Sequence, residues 1–169
     1  FRGNATSELI LGNSDAAIVS GSLVFEASYQ MLDNLTINAP LTTYNLGSDL
    51  TVANFASLAG TFQNDNADRT FTVNNDITIA SGFTSRSNQA VTANRIFTVR
   101  TTGSFTNNGT VDLYHFTGTF HSMGELQFNG ATDVTLGGTS TSEIGRIRVD
   151  KGTGQAAIVD VISPITLHN

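Results

Sequence analysis

Seven apolar–Thr–apolar triplets constrain the fold of this chain more than any other feature. They are Leu35-Thr36-Ile37, Leu50-Thr51-Val52, Phe71-Thr72-Val73, Ile77-Thr78-Ile79, Phe97-Thr98-Val99, Val134-Thr135-Leu136 and Ile165-Thr166-Leu167. A period of two sends both apolar side chains of a triplet to one face and the β-branched Thr to the other, as in a half-buried strand. No apolar i, i+3, i+4, i+7 pattern persists over twelve residues, so long helices are not expected. Between the triplets lie Asn, Asp, Gly and Ser, which tolerate positive φ or hydrogen-bond their own backbone in turns. With 24 Thr, 16 Asn and 16 Gly in 169 residues, the chain reads as short strands and tight corners.

The spacing carries a period. Triplets starting at 50 and 71 are 21 residues apart, and those at 77 and 97 are 20 apart. A Gly-Phe or Gly-x-Phe marker begins at Gly60, Gly82 and Gly103, with spacings of 22 and 21, before Gly118-Thr119-Phe120 breaks step at 15. A unit of this length is one coil of a solenoid, which buries its inner face only against neighbouring coils. The expectation is an all-β fold, a parallel β-helix (β-solenoid) of short strands with about 20–22 residues per coil. It forms a single domain over residues 1–169, a segment of a longer repetitive protein. Eight coils stacked at about 4.8 Å predict a rod of roughly 35–40 Å. The 11 Phe suit a dry interior that offers no partner to a Tyr hydroxyl or Trp indole. Corner residues such as Asn74-Asn75 and Asn107-Asn108 either stack into hydrogen-bonded ladders or simply supply turn conformations. A pair of β-sandwich modules is the rival fold. The absence of Trp, only two Pro, and strands of three to five residues favour the solenoid.

A longer echo joins the two ends. Ser22-Leu23-Val24-Phe25, Asp33-Asn34-Leu35-Thr36-Ile37-Asn38 and Ser48-Asp49-Leu50-Thr51-Val52 have counterparts late in the chain. These are Glu125-Leu126-Gln127-Phe128, Gly145-Arg146-Ile147-Arg148-Val149-Asp150 and Ser163-Pro164-Ile165-Thr166-Leu167, at offsets of 103, 112 and 115. Both blocks resemble the β-helical repeat regions of very large secreted, adhesin-like surface proteins of the Bacteroidota, exported by the type IX secretion system. Those regions recur as a strand ending in Phe, then x-N-L-x-I-N, then S-D-I-T-V-x-G. The late block lacks the Asn-Leu of the second slot. The resemblance implies a secreted or cell-surface, outer-membrane-associated protein used in adhesion, gliding or biofilm structure. Expected partners are adjoining coils of the same chain, which would cover the open edges of the end coils, or secretion and surface-assembly proteins, with glycans as a further class.

Composition excludes several functions. A net charge of -6 with Lys151 as the one lysine opposes phosphate-backbone binding, so no nucleic-acid partner is expected. No stretch approaches 18 apolar residues, so no membrane span is expected. Without Cys there is neither a disulfide framework nor a thiolate metal site. The chain opens Phe1-Arg2-Gly3, as a processed product or internal segment would. Sequons at Asn4, Asn34 and Asn108 are what chance gives in so Asn- and Thr-rich a chain.

Candidate sites are few. Asn64, Asp65, Asn66, Asp68 and Arg69 gather two carboxylates, two amides and a cation in one turn, a ligand or hard-cation candidate without the Gly and distal Glu of an EF-hand loop. Asp112, His115, His121 and Glu125 have the ligand types for zinc in a spacing that matches no closed site. Arg146, Arg148 and Asp150 alternate on one strand face as a solvated surface. Outward Thr residues such as Thr36, Thr51, Thr72, Thr78 and Thr98 come once per strand, not as the doubled Thr-x-Thr of an ice-binding face. No GxSxG elbow, P-loop or HExxH motif occurs. No catalytic residue, cofactor or metal is therefore assigned. The expected function is a non-catalytic structural or adhesive stalk module with sticky, uncapped end coils. The alternatives are a carbohydrate-active β-helix of the polysaccharide lyase or hydrolase type, and a glycan-binding module.

Overall fold

The computed structural model describes residues 1–12, 20–152 and 157–168. Its strands, in chain order, are β1 (Glu8–Leu11), β2 (Gly21–Leu23), β3 (Met31–Leu46), β4 (Leu50–Asn64), β5 (Arg69–Val73), β6 (Ile77–Arg86), β7 (Arg95–Thr101) and β8 (Phe105–Asn107). These are followed by β9 (Thr110–Phe116), β10 (His121–Asn129), β11 (Val134–Gly137), β12 (Ser142–Ile144), β13 (Arg146–Asp150), β14 (Val159–Val161) and β15 (Ile165–Leu167). They wind into a β-solenoid of about six turns with parallel, stacked strands. Among the described residues no helix is long and apolar enough to cross a membrane.

Three faces follow from the register. On face A the inward residues Leu50, Phe71, Val99, Leu126 and Ile147 stack coil upon coil. Face B stacks Leu9, Leu35, Phe55, Ile77, Phe105, Leu136 and Val161. Face C stacks Gly21, Tyr44, Phe62, Ser85, Val111, Ser142 and Ile165. The triplets behave as alternation demands: Leu50 and Val52 are buried while Thr51 between them is half-buried on the outside. Phe rings fill the interior, with Phe71 5.0 Å from both Phe55 and Phe62 and Phe83 5.8 Å from Phe55. Each ring taken fully out of water contributes about 1.5–3 kcal/mol, which stacking alone makes available.

Coil length departs from the expected 20–22 residues. The outward row of face A runs Met31, Thr51, Thr72, Arg100, Gln127 and Arg148, giving steps of 20, 21, 28, 27 and 21. The first long step contains the corner from Ser87 to Asn94. The second contains a β-hairpin in which Tyr114–Phe116 pairs antiparallel with Met123–His121, the one antiparallel pairing among the described residues. These insertions explain why 169 residues make about six turns rather than eight. The spacing of 20 between Ile77 and Phe97 links faces B and A, and is not a coil step. The longer echo also fails as a structural repeat. It aligns Leu35–Ile37 of face B with Ile147–Val149 of face A, and Leu50–Val52 of face A with Ile165–Leu167 of face C.

Both readings of the corner Asn residues occur, at different corners. Asn75 donates its amide to Asn54 Oδ1 at 2.9 Å, and Asn54 donates to Asn34 Oδ1 at 3.1 Å, a ladder across three coils. Asn107 instead turns inward, fully buried, and donates to the Thr141 carbonyl and Ser142 Oγ while accepting from the Gly109 amide at 3.1 Å.

Candidate functional site

The Asn64–Arg69 turn is a lock between coils. Asn64, fully buried, donates to the Ala67 carbonyl and accepts from the Asn88 amide at 2.9 Å. Asn66 donates to Thr92 Oγ1 at 2.6 Å, and Asp68 Oδ1 accepts from the Ile96 amide at 2.9 Å. Asp65 pairs with Arg69 at 2.7 Å, leaving Oδ1 enclosed without a hydrogen bond. The five residues sit together as their spacing suggested, and their polar atoms are directed mainly at the next coil.

The potential zinc ligands are dispersed. Asp112 faces outward on face C and accepts from Gln89 at 3.3 Å. His121 Nδ1 lies 3.2 Å from the Tyr114 hydroxyl, with its ring stacked 4.5 Å from Phe116. Glu125, on face A, is buried against Arg146. No three His, Asp or Glu side chains among the described residues stand close enough to share a metal ion.

Register creates a grouping the sequence did not suggest. The outward row of face C carries Arg86, Asp112, Glu143 and Thr166 side by side. His168 Nε2 lies 3.4 Å from Glu143, and its ring stacks on Tyr114 at 4.5 Å and 1°. These groups are 31 and 25 residues apart in the chain, so only the coil length, distorted by the hairpin, could have revealed them.

Three clefts stand out among the described residues. One of about 460 Å³ lies beside the hairpin, lined by Asp68, Asn94, Arg95, Ile96, His121 and Arg146 among others. Its polar side chains already have partners: Asn94 Oδ1 accepts from the His121 amide, Arg95 donates to the Asn66 carbonyl, and Arg146 covers Glu125. A smaller one of about 180 Å³ includes Asp49 and Arg100, which hold the Thr70 amide and Gln127.

The third, about 560 Å³, differs. It follows the corner between faces A and B and is lined by Asn54, Phe55, Asn74, Asn75, Asp76, Thr102, Gly103 and Thr132. Its origin is the length of successive corners. Two residues join the inward rows at 53–54, three at 74–76, three at 102–104 and seven at 129–135. The growing corners project beyond the short one and leave Phe55 half-buried where its neighbours Phe62, Phe71 and Phe83 are closed off. Lys151 supports the upper wall by donating to the carbonyls of Asn129 and Thr132, each at 3.0 Å. Burial lowers the pKa of that amine, and Asp133 opposes the shift.

The arrangement defines a parallel β-solenoid with a polar cleft at a corner between faces A and B. No family model matches the chain, and no curated protein or solved structure does either.

Proposed function

We propose that this chain is a structural or adhesive stalk module of a large secreted or cell-surface bacterial protein, non-catalytic in itself. The observation that carries this reading is the state of the two ends. Among the described residues β13, β14 and β15 each pair on one side only, leaving one sheet edge free on each face at one end, with Val149, Val161, Ile162 and Leu167 exposed. At the other, β1 on face B and β2 on face C likewise pair on one side only among the described residues, beside exposed Ile10 and Val24. Unpaired edges next to apolar surface are templates for further strands. Adjoining coils of the same chain, or a surface-assembly partner, would complete them. The resemblance to type IX-exported adhesin-like repeats supports the same reading.

Small-angle scattering over a concentration series tests it. Growth in length at constant cross-section is expected, because free edges at both ends permit end-to-end stacking. A particle that stays compact at every concentration overturns the reading. So does turnover of acidic or neutral polysaccharides, which would favour the carbohydrate-active alternative.

A further inference from the structure

We propose that the corner cleft between faces A and B binds a neutral saccharide unit, and is the module's glycan-contact site. The inference goes beyond the stalk reading, since a stalk needs no ligand.

The first argument is chemical. Sugar hydroxyls both donate and accept, so their sites need mixed amide, hydroxyl and carboxylate groups without prior partners. Among the described residues the side-chain amide of Asn74 makes no hydrogen bond, and Asn75 donates to Asn54 while its Oδ1 accepts none. Asp76, an exposed residue, uses Oδ1 to hold the Ser104 amide at 2.7 Å, and its Oδ2 makes no hydrogen bond among the described residues. Thr102 donates to the Asn74 carbonyl at 2.5 Å, which fixes the corner against its neighbour. In the other two clefts the charged side chains are engaged: Asp68 and Arg95 hold the Ile96 amide and the Asn66 carbonyl, and Asp49 and Arg100 hold the Thr70 amide and Gln127.

The second argument is shape. Phe55 is a half-buried aromatic residue lining the cleft among these polar groups, and the apolar C–H face of a pyranose packs favourably on such a surface. The ring is held from behind by Phe62, Phe71 and Phe83 at 5.0 to 6.0 Å, so it is a rigid platform. A volume of about 560 Å³ falls among small-ligand sites and accommodates a disaccharide.

The third argument is charge. Asp76 is the one ionisable side chain lining the cleft, without a Lys or Arg, which disfavours uronates and sulfated sugars. One carboxylate with three amides, of which Asn54 already accepts from Asn75, does not build a hard-cation cage. Gly103 completes the design: any Cβ there would run into Asp76, whose backbone nitrogen would lie at 2.7 Å.

Titration of the ¹⁵N-labelled protein with maltose, cellobiose and N,N′-diacetylchitobiose tests the proposal. At least one sugar is expected to shift the amides of Asn54, Asn75, Gly103 and Thr132 together. Asn74→Ala and Asp76→Asn are each expected to weaken that binding about tenfold, the effect of one or two lost hydrogen bonds. Asn74→Ala leaves every hydrogen bond of the fold in place, so an unchanged spectrum elsewhere verifies folding. Absence of shifts with all three sugars, shifts confined to another surface, or affinity unchanged in both variants overturns the proposal. End-to-end growth in scattering is a separate readout, so failure here leaves the stalk reading standing.

Discussion

Glu125 of one coil lies beneath Arg146 of the next, its side chain 5% exposed and that of the arginine 52%. The two are register partners on the outward side of face A, so the ion pair spans a single strand spacing. The carboxylate has been taken out of water while its partner remains at the surface. Removing the arginine leaves that charge uncompensated. Because solvent screens the exposed partner, the loss on Arg146→Met should be about 1–2 kcal/mol, below the value for a fully buried pair. A double-mutant cycle with Glu125→Gln in chemical denaturation should give a coupling of about 1 kcal/mol. Strict additivity would contradict the pairing.

Asn107 closes its corner with both ends of its amide. Asn107→Leu keeps the size but strands the Thr141 carbonyl, Ser142 Oγ and the Gly109 amide. Leaving buried polar groups unmet costs about 1–3 kcal/mol. The denaturation midpoint should therefore fall by more than it does for Asn54→Ala, whose exposed ladder contributes roughly 0.5–1 kcal/mol.

Gly124 marks the point where the hairpin strand rejoins face A. A side chain there would strike Leu113, whose carbonyl oxygen would lie 2.6 Å from the new Cβ. Gly124→Ala should destabilise the protein by about 1–3 kcal/mol, the usual cost of overpacking. The near-ultraviolet signal of Tyr114 should change with it, because the hairpin would be displaced.

Tyr44 sits on the inner side of face C, and burial raises its pKa above 10.0. The unfolded chain ionises near 10.0 while the folded protein still holds the proton. Below that pH the group leaves the stability independent of pH; above it, stability declines until the folded pKa is passed. Against Tyr44→Phe, which lacks the proton, the wild type should show an additional downward slope only above pH 10. Parallel stability curves across that range would contradict the burial effect.

The fold was legible because alternation fixes a face one residue at a time. Leu50-Thr51-Val52 and Phe71-Thr72-Val73 announced both their inward side chains and their spacing, and they stack as neighbours. What the local pattern could not show was which face a triplet belongs to. Ile77 and Phe97 looked like successive coils because their separation matched the period, yet one lies on face B and the other on face A. The turn at Asn64–Arg69 was recognisable as a polar cluster, whereas its direction toward the next coil depends on residues 24 to 28 positions later. The corner cleft was hidden for a related reason. It arises from differences in corner length between coils, and no single segment contains that difference.

Because the hydrogen bonds of all three faces point from coil to coil, tension applied between the two ends of the stack pulls on them lengthwise. Each coil then bears the full load, held by three short strands and a plug of phenylalanine. A chain tethered this way should yield one coil at a time from an end, paying out slack instead of breaking all at once. The corner ladders and the Lys151 clasp would set where that unwinding pauses.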